Sequence, residues 1–528
     1  MAPFDHQANY SYLKSLALNL NQALATYEQH LAWNGNANLD VEDVAGSRPE
    51  DANKTMAEAR WACLNTVDLL RAALSSPVDA MYHTWTSTAE FAALGVIVRF
   101  GVVDQLYSLA EAEGMDGLMA GVPIEALSER VGINPQKLAR LMRLLSVRHW
   151  FREPVEGSFR PTRFGAALRK GEPVAAYIAA HAPTVFASLH ELPDTLTNSD
   201  SRDSDSEHQT AFARGPGAGK GYWEYLAEHP QVKDDFGLSM RASGEIQLNA
   251  SLREFPWEER LQGKTLVDVG GGAGHFSVHF AKMDIPGLKV VLQDLPGTYQ
   301  LARKHFEETV PEFVNAGRAE FEKGDFFQPN TRSGENVTYL LRSILHDWSD
   351  DHCVKILSNL AKNLHRDSCV FVHDALIRPC LPPNPATRQS LTSSQNGAYS
   401  FADKRSRSTS SDEALSPTTV PSHMLRRDSL MTPPMSDAGH EDGEMPRDAD
   451  GTPTESHEPR FDAPWPLPRN FGPNSAQVSG LDALMLVELN GRERTESQIR
   501  HIAQLAGLNL VQTTMLTSGR GIFELRLP

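Results

Sequence analysis

His346 follows the apolar run Val337 to Leu341 and is itself followed at once by Asp347 and Trp348. An imidazole titrates near pH 6.5, so a histidine at the carboxyl edge of a sheet is a natural acceptor for the proton of a phenol. A loop histidine can also be purely structural, and what favours chemistry is its company. Leu266, Val267 and Val269 form a second apolar run that ends in Gly270, Gly271, Gly272 and Gly274 and passes into a helix-compatible segment. Glycines there allow positive φ and carry no Cβ, so the backbone can turn sharply and touch a bound nucleoside. About 20 residues further on, the strand-like Lys289 to Gln293 ends in Asp294, whose carboxylate can accept both ribose hydroxyl hydrogens.

A glycine turn by itself can serve only steric needs. Here the spacing is G-x-G-x-G, and His275 stands where a dinucleotide fingerprint needs its third glycine. Asp268, inside the strand, has no part in that fingerprint either. A nucleoside without a pyrophosphate fits better, and S-adenosylmethionine is the commonest such cofactor. The elements that must position these residues alternate strand and helix, with strands near 265–269, 289–293, 319–322, 337–341 and 369–375. The end changes rhythm: Leu508 to Met515 and Gly521 to Leu527 read as a closing hairpin, preceded by a helix with a Thr495 and Gln498 capping box and a stop at Gly507.

LVDVGGGAG, QDLP at Gln293 to Pro296, GDFF at Gly324 to Phe327, LLRSILHDWSDD at Leu340 to Asp351 and GRERTE at Gly491 to Glu496 occur in this order. Together they resemble the class I S-adenosylmethionine-dependent O-methyltransferases of the caffeic-acid type, in their fungal secondary-metabolism branch. The resemblance covers roughly Pro77 to Ile377 and Gly480 to the C-terminus. It implies a Rossmann-like α/β methyltransferase sheet with a C-terminal antiparallel hairpin, preceded by an all-helical or winged-helix dimerisation domain. It further implies that His346 is the general base, flanked by the acids Asp374 and Glu493. The cofactor would meet Asp268, Gly270, Gly271, Gly272, Asp294, Leu295 and Arg342, with Asp325 and Phe326 at the adenine. Two of these depart from plant members, which usually carry glutamate for Asp374 and often lysine for Arg342. The shorter aspartate puts its reach to the base in question. For Glu493 the plain alternatives are helix capping or a surface ion pair.

The 528 residues, with a formal charge of -17, argue against a general nucleic-acid binder. Four cysteines without CxxC spacing argue against disulfides or a zinc site, and no metal is expected. The N-terminus lacks a basic signal region and no apolar run reaches membrane-spanning length, so a cytoplasmic protein without a membrane partner is expected. Residues 1–75 read as N-terminal helices and 76–185 as the winged-helix-like dimerisation domain. A linker and substrate-roof helices fill 186–260, and the catalytic domain comprises 261–379 and 480–528. Lys137, Arg140 and Arg143 lie along one helix of the winged-helix outline, where DNA reading is the alternative to dimerisation. Residues 380–479 are rich in Ser, Thr, Pro, Asp and Arg and read as a disordered insert. The expected activity is methyl transfer to a phenolic hydroxyl of an aromatic, polyketide-type molecule by a homodimer. The alternative is a non-catalytic regulatory or scaffolding protein that uses the winged helix and the insert.

Overall fold

A computed structural model of the chain describes residues 6–33, 39–43, 51, 53–111, 114–379, 463–468, 470 and 473–528. Ten strands are described: β1 (Val122–Pro123), β2 (Phe151–Val155), β3 (Ser158–Pro161), β4 (Thr265–Val269), β5 (Lys289–Asp294), β6 (Ala319–Lys323), β7 (Val337–Arg342), β8 (Val370–Ala375), β9 (Asn509–Met515) and β10 (Arg520–Arg526). Seven form one sheet in the order β6-β5-β4-β7-β8-β10-β9. Pairing is parallel from β6 to β8, and β10 lies antiparallel to both β8 and β9. This is an α/β Rossmann-like fold closed by an antiparallel hairpin.

Both faces of the sheet are buried, and the period of two in a strand decides which residue goes where. Val267, Val269, Tyr339, Leu341, Val370 and Val372 face one layer with Ile356, Leu357 and Ile499. Leu266, Leu340 and Phe371 face the other, against Trp257, Phe280 and Phe306. From β4 the chain moves outward through β5 and β6, then crosses back to β7 on the other side of β4. The carboxyl edge between β4 and β7 is therefore the topological switch point, where open α/β sheets hold ligands.

The N-terminal half is helical. Pro77–Arg99 starts at a Ser76 and Asp79 capping box with Pro77 in the first turn. The segment expected to outline a winged helix forms helices Ile124–Val131 and Pro135–Val147, then the β2–β3 hairpin with β1 added to β3. Arg143 is held by Glu153 of that hairpin. Among the described residues no single helix is long and apolar enough to cross a membrane. The bent pair Pro77–Arg99 and Val102–Ala110 passes on composition together, yet its Ile97, Val102, Val103 and Leu106 are fully buried in the helical core.

One boundary differs from expectation. Ala463 and Leu467, within the stretch expected to be disordered, are buried with Ala23, Trp61 and Ala62, and the helix Pro473–Leu489 begins before residue 480. Sparse apolar residues find partners on helices far away in sequence, which a local periodicity does not register. Most of the expected insert, residues 380–462, lies outside the described residues. The polar loop after Thr197 is held in place: Ser201 Oγ donates to the Thr195 carbonyl at 2.7 Å, and Asn490 Nδ2 donates to the carbonyls of Ser204 and Ser206 at 3.2 and 2.7 Å.

Candidate active site

The glycine loop leaves β4 and is tied to the end of β5. Gly270 N–H donates to the Gln293 carbonyl at 2.8 Å, and Gly272 N–H donates to Asp294 Oδ2 at the same distance. Leu295 N–H donates to Asp294 Oδ1 at 2.7 Å. A carboxylate has about four lone-pair sites; Gly272, Leu295 and the Thr298 side chain take three of them, which leaves one for a ligand hydroxyl. Gly272 has φ +59°, and a Cβ there would point into open space. Gly271 differs, since its Cβ would come within 2.6 Å of Asp268 Oδ2. A Cβ on Gly270 would strike Ile344 Cδ1 at 2.6 Å, so the loop after β4 packs directly on the loop after β7. Leu295 is exposed beside Asp294. Phe326 lies 3.5 Å from the same Gly270 position, and exposed Asp325 accepts the Phe327 N–H at 2.9 Å. An open glycine backbone, a carboxylate with a spare lone pair and an exposed leucine fit a nucleoside.

His346 sits in the short 3-10 turn Leu345–Asp347 after β7 and is buried. Its Nδ1 is 2.6 Å from Glu493 Oε1, and its Nε2 is 3.4 Å from Asp347 Oδ1. Glu493 is buried and its backbone N–H donates to Asp482 Oδ1 at 2.8 Å, while Thr495 caps the following helix. Neither helix capping nor a surface ion pair describes Glu493. Asp374 is buried on β8 and interacts with His346 through charge, and its Oδ1 has no hydrogen-bond partner among the described residues.

Burial alone would lower the imidazole's pKa, but the Glu493 and Asp347 carboxylates outweigh it and raise His346 to about 10. The expected titration near pH 6.5 is thus corrected, because acids from three separate elements crowd one imidazole. Burial raises Asp347 to about 7 against the opposing pull of His346, and it raises Asp374 in the same way. Asp268 is also pushed up by burial, to about 6, despite the Ser277 hydroxyl on its Oδ2 and the nearby Arg342 charge. Arg342 lies over the Phe276 ring at 4.8 Å, and burial lowers it to about 10.

Three residues of the cluster carried no role in the sequence reading. Asp347 was visible only as the neighbour of His346. Arg494, inside GRERTE, donates to the carbonyls of Leu345 and Trp348 at 2.7 Å each and to Asp350 Oδ1 at 2.9 Å, so it grips both ends of the histidine turn. Arg520 on β10 donates to Ser343 Oγ at 2.7 Å, where Ser343 has φ +53°. Gly491 packs on the His346 carbonyl, where a Cβ would lie at 2.2 Å, and Arg492 N–H donates to that same oxygen at 2.9 Å. The Ile377 N–H donates to the Arg494 carbonyl at 3.1 Å, and Leu376 bridges Arg494 in parallel. The two blocks of the catalytic half thus meet beside the site.

Comparison with known proteins gives a consistent result. Residues 190–397 match the O-methyltransferase domain family. The chain is 26% identical to the O-methyltransferase tpcA of Aspergillus fumigatus, over 94% of this chain and 92% of that protein. It is 30% identical to the O-methyltransferase gedA of Aspergillus terreus, over 48% of this chain and 58% of that one. Among solved structures, the mitomycin 7-O-methyltransferase MmcR superposes with a TM-score of 0.57 at 20% identity, over 87% of this chain and all (100%) of that one.

Proposed function

Because the chain belongs to the class I S-adenosylmethionine-dependent O-methyltransferases of secondary metabolism, we propose that it methylates a phenolic hydroxyl of an aromatic small molecule, with His346 as general base. The observation that carries this reading is the 2.6 Å contact between His346 Nδ1 and Glu493, buried at the switch point beside the open glycine loop. A scaffolding protein would have no use for that pair. Gly270, Gly271, Gly272, Asp294 and Leu295 would hold the ribose and the adjoining chain, Asp325 and Phe326 the adenine, and Asp268 and Arg342 would support the loop from below. Bound S-adenosylmethionine supplies a methyl group on a sulfonium, which makes transfer intrinsically favourable.

The residues of this chain then have two tasks, alignment and proton removal. Glu493 accepts Nδ1–H and fixes the tautomer, leaving Nε2 to take the hydroxyl proton. Asp374 and Asp347 stabilise the imidazolium that results. With His346 near 10 and a phenol also near 10, the proton passes between groups of matched affinity.

The test is calorimetric titration with S-adenosylhomocysteine, using Asp294→Ala as control, followed by methyl transfer to a panel of phenols with wild type and His346→Ala. Micromolar binding lost in the control, and transfer lost in His346→Ala, are expected. A folded protein that binds no S-adenosylhomocysteine would overturn the reading.

We also propose a homodimer located in the cytoplasm. Val78, Met81, Tyr82 and Trp85 recur at helical spacing along Pro77–Arg99, and each is more than half exposed. A second copy of the chain would cover this stripe. Sedimentation should give twice the chain mass, and Trp85→Glu should give the monomer.

A further inference from the structure

A second set of buried polar groups lies beside the first, and the proposed chemistry does not use it. His181 comes from the helix Pro173–Thr197, Tyr222 opens Tyr222–Glu228, and Glu488 stands near the end of Pro473–Leu489. Their exposures are 4%, 2% and 2%. Neither nitrogen of His181, nor the Tyr222 hydroxyl, nor Glu488 Oε1 has a hydrogen-bond partner among the described residues. Buried polar atoms are nearly always paired, so unpaired atoms from three helices mark a place for a ligand. His181 Nδ1 and Glu488 Oε1 stand 3.6 Å apart, beyond hydrogen-bond reach.

Aromatic rings wall the set. Tyr177 lies 4.6 Å from the His181 ring, and Phe236 lies 6.4 Å from His181 and 5.7 Å from Tyr222. The location is tied to the catalytic cluster by the chain itself. Glu488 and Glu493 are five residues apart, which limits their Cα separation to about 18 Å, and Gly491 between them packs on the His346 carbonyl. The Tyr222 hydroxyl, raised by burial, also senses the charges of Glu488 and Asp347.

Building on the methyltransferase reading, we propose that His181, Tyr222 and Glu488 bind a second hydroxyl of the acceptor, so that the substrate is a polyhydroxylated aromatic methylated at one hydroxyl and gripped by another. The donor count selects this group. An ionised glutamate only accepts, whereas a neutral imidazole and a phenol can each donate. One hydroxyl donates once and accepts twice, which satisfies all three residues. A carbonyl would leave Glu488 unpaired, and a carboxylate would face its charge.

The experiment measures kcat/KM and, with S-adenosylhomocysteine present, binding, for dihydroxynaphthalene and dihydroxyanthraquinone isomers against their monohydroxy counterparts. Wild type should prefer at least one dihydroxy isomer by about 10-fold or more. Glu488→Gln and Tyr222→Phe should erase most of that preference through KM, while monohydroxy acceptors and S-adenosylhomocysteine affinity stay within about twofold. Equal losses for both acceptor classes would mean a structural role and overturn the proposal. So would the absence of any preference in wild type, including failure of every probe to bind. Failure of wild type to bind S-adenosylhomocysteine would instead sink the methyltransferase reading on which the proposal rests.

Discussion

The glycine crevice and the histidine cluster lie side by side at one sheet edge, yet they are built in opposite ways. The crevice comes from one stretch, β4 to the end of β5, and its key bond joins Gly272 and Asp294, 22 positions apart. The cluster joins His346 to Glu493 across 147 positions and adds Asp374 from β8 and Arg520 from β10. One is local backbone geometry that a turn sequence encodes. The other is a meeting of buried charges whose properties exist only after folding, because desolvation and neighbours set them.

If the two regions are separable, changes in one should leave the other intact. His346→Ala is the largest expected effect: methyl transfer should fall about 100-fold to 10,000-fold, while S-adenosylhomocysteine affinity measured by calorimetry stays within about twofold. Affinity falling in parallel with rate would break the comparison. Asp294→Ala should do the converse, weakening S-adenosylhomocysteine by about 10-fold to 100-fold through the loss of a hydrogen bond to a charged acceptor. Its alkaline pH limb, recorded at saturating cofactor, should not move.

Glu493→Gln sharpens the electrostatic half. With His346 raised to about 10 in the free site, kcat/KM of the wild type should climb from pH 7 to pH 9. Removing the Glu493 charge should shift that limb toward acid by about one unit, a tenfold change in proton affinity. A flat wild-type profile over this range would refute the raised imidazole. The smallest effect is on stability. A histidine raised above its unfolded value of 6.5 contributes stability that is complete below about pH 6.5 and is lost as pH rises through about 10. The melting temperature of wild type should therefore drop more between pH 7 and pH 10 than that of Glu493→Gln, as read by scanning calorimetry.

What was legible in the sequence follows the same division. The strands, the closing hairpin and the Thr495 cap were readable because period and capping are local properties. Gly270 to Asp294 was readable for the same reason. His346 stood out by its place at the sheet edge while Glu493 emerged only through a family motif, and their 2.6 Å contact could not be derived from spacing. The imidazole's high proton affinity and the buried grips of Arg494 and Arg520 were out of reach, since an arginine in a sequence looks the same whether it is solvated or buried. Leu467 was missed because its partner Trp61 lies at the other end of the chain.

The bonds from Ile377 and Leu376 to Arg494 give this protein an unusual kind of divisibility. A proteolytic nick anywhere between residues 380 and 462 would leave two polypeptides, the longer with the histidine and the shorter with the glutamate it contacts. No hydrogen bond described around the site would be cut. Activity would then depend on the fragments staying together, and so on dilution, as in a complemented enzyme assembled from halves.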